Sequence, residues 1–215
     1  MYKAVIFDLD GTLFDTLPDI QKVLNSTLEK FNLPALERER VMRSIGGGAR
    51  ELVRLAIGES NAYRLDEILA VYRAEYALND GSLSRFFEGE EQTLSLLKEK
   101  NIKLAVFTNK PHSVALATCE KYFSRFSFDY ILGQTDDLPL KPAPDGVYKI
   151  LKFLGVEKDG CLFVGDGETD YLTAKNAEVD CVCALWGYRT MEQLKCVGAQ
   201  KFADSFSRLA DIILE

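Results

Sequence analysis

The sequence predicts an α/β fold, a doubly wound, Rossmann-like parallel sheet interrupted early by an all-helical insertion. Three observations predict it. Short apolar runs stop abruptly at polar or glycine residues. Segments with helical spacing separate those runs, the alternation from which doubly wound sheets are built. One long interval, from about Thr16 to Ser84, repeats its apolar residues at three and four positions and holds no strand-like run.

The elements follow in chain order. Ala4-Val5-Ile6-Phe7 is a continuous apolar run before Asp8, the pattern of a strand covered on both faces rather than on one. The insertion comes next. Ile20, Val23, Leu24, Thr27 and Leu28, then Leu52, Leu55 and Ala56, mark apolar helical stripes. Glu90 to Lys100 is a predicted helix, and Leu104-Ala105-Val106-Phe107 is a second buried strand ending at Thr108. The helix Ser113 to Phe123, the weaker strand Tyr130 to Gly133 and the helix Asp145 to Phe153 continue the alternation. Leu162-Phe163-Val164 ends at Gly165-Asp166, the helix Thr169 to Ala177 follows, and Val182 to Trp186 is the last predicted strand. Crossovers between parallel strands are expected to be right-handed. The expected division is a core of residues 1–15 and 85–215 with a helical cap of residues 16–84.

Composition narrows the function. The 215 residues are 47% hydrophobic and 27% charged, an ordinary globular balance. Asp plus Glu number 33 against 26 Lys plus Arg, a net charge of -7, so no basic face is offered to nucleic acid or to anionic lipid. The apolar run from Cys181 to Trp186 is far short of the roughly 18 residues that span a bilayer. Asp8 interrupts the N-terminus too early for a signal peptide, so a cytoplasmic protein is expected. The 5 cysteines form no CxxC pair, and reduced core cysteines are expected, with Cys181 and Cys183 on one face of a strand.

The chemistry concentrates in FDLDGTLFDT, Phe7 to Thr16, where Asp8 and Asp10 leave a buried strand for a glycine turn. Ligands of open α/β sheets bind at the carboxyl ends of strands. Alone, the doublet is equally a strand cap and an Asp-Gly turn. The other strand ends tip the balance, because Thr108 and Asn109, Lys141 in a proline-flanked loop, and Asp166 with Asp170 would all meet on one rim.

That ordered set resembles the four motifs of the haloacid dehalogenase superfamily, present here as DLDGT, Thr108, Lys141 and GDGETD across essentially the whole chain. The insertion after DLDGTLFDT looks like the cap of the subgroup holding phosphoglycolate phosphatases and β-phosphoglucomutases. The resemblance implies a Mg²⁺-dependent phosphatase of a small phosphomonoester, 2-phosphoglycolate being the leading expectation. It implies Asp8 as nucleophile, forming an aspartyl-phosphate, and Asp10 as general acid and base. The implied metal ligands are the Asp8 carboxylate, the Asp10 backbone carbonyl and Asp166, with Asp170 outside them or as a further ligand. If a helix began at Asp166, the two acids four apart would share one face. Lys141 would offset phosphoryl charge, with Thr108 and the Asn109 amide as oxyanion donors. Gly167 departs from relatives that carry a hydroxyl residue there.

Other signals are weaker. Gly46-Gly47-Gly48 is no dinucleotide fingerprint, and no P-loop exists. Ser44 to Arg50 instead resembles the cap substrate loop of phosphoglycolate phosphatases, where Arg50 would meet an anionic leaving group or else be a solvated loop residue. His112, the only histidine, is expected to cap a helix or lie at the surface, and Trp186-Gly187-Tyr188-Arg189 reads as core and turn although it resembles the family's strand-end loop. Two alternatives remain open: a sugar-phosphate mutase on the same scaffold, and a receiver-like phosphate-sensing module, against which the cap and GDGETD both argue.

Overall fold

The computed structural model describes residues 2–215. Its main sheet has six strands in the order β5-β4-β1-β6-β7-β8, and all neighbouring pairs are parallel. The strands are β1 Ala4–Phe7, β4 Lys103–Pro111, β5 Tyr130–Gln134, β6 Cys161–Gly165, β7 Asp180–Ala184 and β8 Phe202–Ala203. Because side chains alternate across a strand, β1 sends Val5 and Phe7 to one face and Ala4 and Ile6 to the other. The first face packs on α5 Glu90–Glu99, α6 His112–Phe123 and α10 Phe206–Leu214; the second packs on α7 Asp145–Leu154 and α8 Glu168–Ala177. Burial on both sides is why these strands read as unbroken apolar runs.

Between β1 and β4 the chain leaves through β2 Phe14–Asp15, builds helices α1 Leu17–Lys30, α2 Arg38–Ser44, α3 Gly48–Ile57 and α4 Leu65–Leu78, and returns through β3 Arg85–Phe86. A six-residue 3-10 turn, Glu59–Arg64, joins α3 to α4. β2 and β3 pair antiparallel, so the outgoing and returning segments run side by side. Leu17, Ile20, Val23, Leu24 and Leu28 of α1 meet Leu52 and Val53 of α3 and Ile68, Leu69 and Tyr72 of α4 in an apolar cluster separate from the two sheet faces. Tyr188 is the core residue that enters it.

The structure departs from the sequence expectations at several boundaries. β4 continues past Phe107 to Pro111, carrying Thr108, Asn109 and Lys110 inside the strand, with a register shift between Phe107 and Pro111 where it pairs with β5. The last long strand is Asp180–Ala184 rather than 182–186, because pairing with β6 begins at Leu162↔Asp180 and the chain turns after Ala184. β2, β3, β8, α10 and the short α9 Met191–Cys196 were not expected.

Candidate active site

The carboxyl ends of β4, β1 and β6, with the loop before α7, open into one cavity of about 350 Å³. Its floor holds Asp8, Asp10, Thr108, Asn109, Lys141, Asp166 and Asp170. Its far wall comes from the helical insertion, including Ile20, Ile45, Leu52, Tyr72 and Tyr76. The residues singled out on three strands and the loop before α7 therefore converge.

Asp8 follows β1, and its Oδ1 accepts a hydrogen bond from Lys141 Nζ at 2.8 Å. The same ammonium donates to Asp170 Oδ1 at 2.5 Å. Asp170 Oδ2 accepts from the Gly167 amide at 2.9 Å, so both of its oxygens are occupied. Asp166 accepts from Thr12 Oγ1 at 2.8 Å and from the Tyr188 amide at 2.7 Å. These contacts fix the carboxylates but leave their charge poorly balanced. Burial, then the facing Asp170, pushes the Asp8 carboxyl up to about 8. Burial and Asp170 push Asp166 up to about 7, although the Tyr188 amide and Thr12 pull the other way. Burial opposes the charge on Lys141, but Asp170 and Asp8 outweigh it and raise the ammonium pKa.

Oxygens of Asp8, Asp166 and Asp170 lie within 4.8 Å of one another, and all three residues are buried. Three buried carboxylates offering only oxygen donors, two of them paired with one lysine, suit a hard divalent cation. The convergence does not arise as an i,i+4 pair on one helix: α8 begins at Glu168, so Asp166 precedes it and Asp170 sits in its first turn. Glycine makes that approach possible. A Cβ on Gly165 would lie 2.2 Å from Asp170 Cβ, and one on Gly11, at φ +88°, would lie 2.6 Å from Asp166 Oδ2.

Asp10 faces different partners. Its Oδ1 accepts from Lys110 Nζ at 2.7 Å and from Thr16 Oγ1 at 2.6 Å. Lys110 also donates to the Tyr76 hydroxyl on α4 at 2.8 Å, which joins the insertion to the core beside Asp10. The Asn109 side chain forms a second bridge. Its Nδ2 donates to the Gly46 carbonyl at 2.9 Å and the Lys141 carbonyl at 3.1 Å, and its Oδ1 accepts from the Lys141 amide at 2.8 Å. Thr108 Oγ1 accepts from the Lys110 amide at 3.2 Å.

Arg50 is the one expected contact that the structure does not bring to the site. It lies outside the cavity lining, and its guanidinium pairs with Asp66 at 2.6 Å on the solvent side of the insertion. The glycine loop itself does reach the cavity, through Gly46 and Gly48. His112 starts α6 and its Nδ1 accepts from the Gly133 amide at 3.1 Å, tying the start of α6 to β5. Sequence reasoning missed Lys110, Tyr76 and Arg189. Arg189 donates to the carbonyls of Met42, Arg43 and Ile45, at 3.0, 3.2 and 2.8 Å, and to Glu168 Oε2 at 2.8 Å. A lysine next to Thr108-Asn109 and an arginine two residues after Gly187 were available signals, but an isolated cation in sequence looks like surface.

The chain is similar to proteins whose work is known by name. It is 37% identical over 194 residues to phosphoglycolate phosphatase 1 of Pseudomonas aeruginosa, covering 86% of this chain and 70% of that one. It is 36% identical over 219 residues to the phosphoglycolate phosphatase of Rhodospirillum rubrum, covering 98% and 90%. A crystal structure of a predicted phosphoglycolate phosphatase from Haemophilus somnus superposes with a TM-score of 0.83 at 28% identity, covering 98% of this chain and 97% of that one. The model of the haloacid dehalogenase-like hydrolases matches residues 5–184, a span that runs from β1 through the insertion to β7 and takes in every carboxylate and lysine of the cavity floor. With that match over most of its length, the chain belongs to the haloacid dehalogenase-like hydrolase family.

Proposed function

We propose that the protein is a Mg²⁺-dependent phosphatase that hydrolyses a small phosphomonoester, 2-phosphoglycolate first among them, through an aspartyl-phosphate on Asp8. The observation that carries this reading is Asp8 at the end of the central β1, held by Lys141 and flanked by Asp166 and Asp170 in a cavity walled by helices. The relatives' names supply the substrate. In the proposed reading residues 1–15 and 85–215 form the catalytic core, and residues 16–84 the cap that excludes water and selects the leaving group.

In the first half-reaction an Asp8 oxygen attacks phosphorus, the ester P–O bond breaks, and Asp10 protonates the departing alkoxide. In the second, Asp10 takes a proton from water, the water oxygen attacks phosphorus, and the Asp8–phosphorus bond breaks to release phosphate. Lys110 and Thr16 hold Asp10 within reach of that proton. Lys141 counters the charge on the transferring oxygens and orients Asp8, while Asp170 holds Lys141. Thr108 and the Asn109 amide are the further oxyanion donors. Asp8, the Asp10 carbonyl and Asp166 would hold Mg²⁺, with Asp170 outside them; bound there, the ion supplies positive charge that lowers repulsion between the carboxylate and the phosphoryl group.

The test is release of inorganic phosphate from 2-phosphoglycolate and a hexose phosphate, with Mg²⁺ and then with EDTA. We expect turnover of 2-phosphoglycolate that EDTA abolishes and Mg²⁺ restores. Isomerisation of the hexose phosphate without phosphate release would replace this reading with a mutase. Full turnover in EDTA would remove the metal.

A further inference from the structure

Resting on the phosphatase reading, we propose that Arg73 of α4 is the residue that selects an anionic leaving group, by pairing with its carboxylate. The cavity wall contributed by the insertion is Ile20, Ile45, Leu52, Ala49 and Ala77 with glycine backbone and the rings of Tyr72 and Tyr76; Arg73 is its single charged residue. Arg73 is solvent-exposed, and a carboxylate set against the apolar remainder of that wall loses part of its hydration, which a cation offsets.

The other cations near the cavity are already engaged. Lys141 pairs with Asp8 and Asp170, Lys110 with Asp10, Arg189 with Glu168, and Arg50 with Asp66 outside the lining; among the described residues Arg73 has no such partner. Its position suits the chemistry. Arg73 lies three residues before Tyr76 on α4, hence on a neighbouring part of the same helix face, and Tyr76 reaches Lys110 beside Asp10. The leaving oxygen is protonated by Asp10, so the remainder of the leaving group lies between Asp10 and that face. The planar fork of arginine matches a carboxylate with two hydrogen bonds, which a neutral substituent cannot accept.

The experiment compares 2-phosphoglycolate with ethyl phosphate, in which a methyl group replaces the carboxylate, using wild type, Arg73→Ala and Arg73→Lys. We expect wild type to prefer 2-phosphoglycolate. Arg73→Ala should lose about 10- to 100-fold in kcat/KM for that ester, the scale of a charge-assisted hydrogen bond, with little change for ethyl phosphate. Arg73→Lys should recover part of the loss, since it returns the charge without the fork. Equal losses on both esters would make Arg73 structural, and an unchanged preference in Arg73→Ala would put carboxylate recognition elsewhere; either result overturns the proposal while leaving the phosphatase reading intact. If wild type hydrolyses neither ester, 2-phosphoglycolate is not its substrate and the proposal fails, while phosphate release from a different monoester would keep the phosphatase reading.

Discussion

Asp8 and Asp10 are two positions apart, yet one is bound to Lys141 and the other to Lys110 and Thr16. Two lysines on different elements thus keep apart the two carboxyls that the proposed mechanism uses differently. Asp10→Asn keeps the backbone carbonyl but removes the proton carrier, so steady-state turnover should fall at least ~10²-fold while the Mg²⁺ concentration for half-maximal rate changes little. A steep rise in the Mg²⁺ requirement would contradict that separation. Glu90 shows the same physics away from the site. It is fully buried in the first turn of α5, its Oε1 has no partner, and burial raises its pKa to about 9 despite the Phe87 amide and Arg125. The folded chain then keeps a proton that the unfolded chain releases near the ordinary 4.5, so this residue makes stability fall as pH rises between those values. Glu90→Gln should remove that slope, seen as a flatter dependence of Tm on pH from 5 to 9; an unchanged slope would show that Glu90 is ionised in the fold.

At the scale of elements, strand ends and helix starts decide what the site contains. β6 ends at Gly165, and α8 passes so close that an added methyl meets Asp170 at 2.2 Å. Gly165→Ala should therefore push the first turn of α8 off Lys141, costing about 1–3 kcal/mol by overpacking and reducing turnover as well. A denaturant midpoint and activity both like wild type would contradict the proposed coupling. The sheet strands were legible because burial on both faces leaves runs such as Ala4–Phe7 wholly apolar. Other elements hid for physical reasons. Phe202–Ala203 is too short to show a period, and the 182–186 run predicted a strand displaced by two residues because apolarity does not report backbone register. Lys110 lies inside β4, beyond Thr108, where the end of the apolar run marked the expected end of the strand.

Across the whole molecule, a core sheet supplies the carboxylates and an inserted helical unit supplies most of the opposite wall. Asn109 to Gly46, Lys110 to Tyr76 and Arg189 to the last carbonyls of α2 join the two. The core half of the site was readable because its residues sit in short motifs at strand ends. The insertion half was not: Arg50 looked suitable in its glycine loop, but α3 turns it to Asp66, while Arg73 is one charge among several on a helix whose direction only packing sets. If phosphate passes through Asp8, acid-quenching the enzyme during turnover of 2-phosphoglycolate with Mg²⁺ traps it there. Wild type should yield a phosphorylated peptide containing Asp8, and Asp8→Asn, though folded, should yield none and show no turnover. Phosphate release by Asp8→Asn at a wild-type rate, with no labelled Asp8 in either protein, would contradict that route.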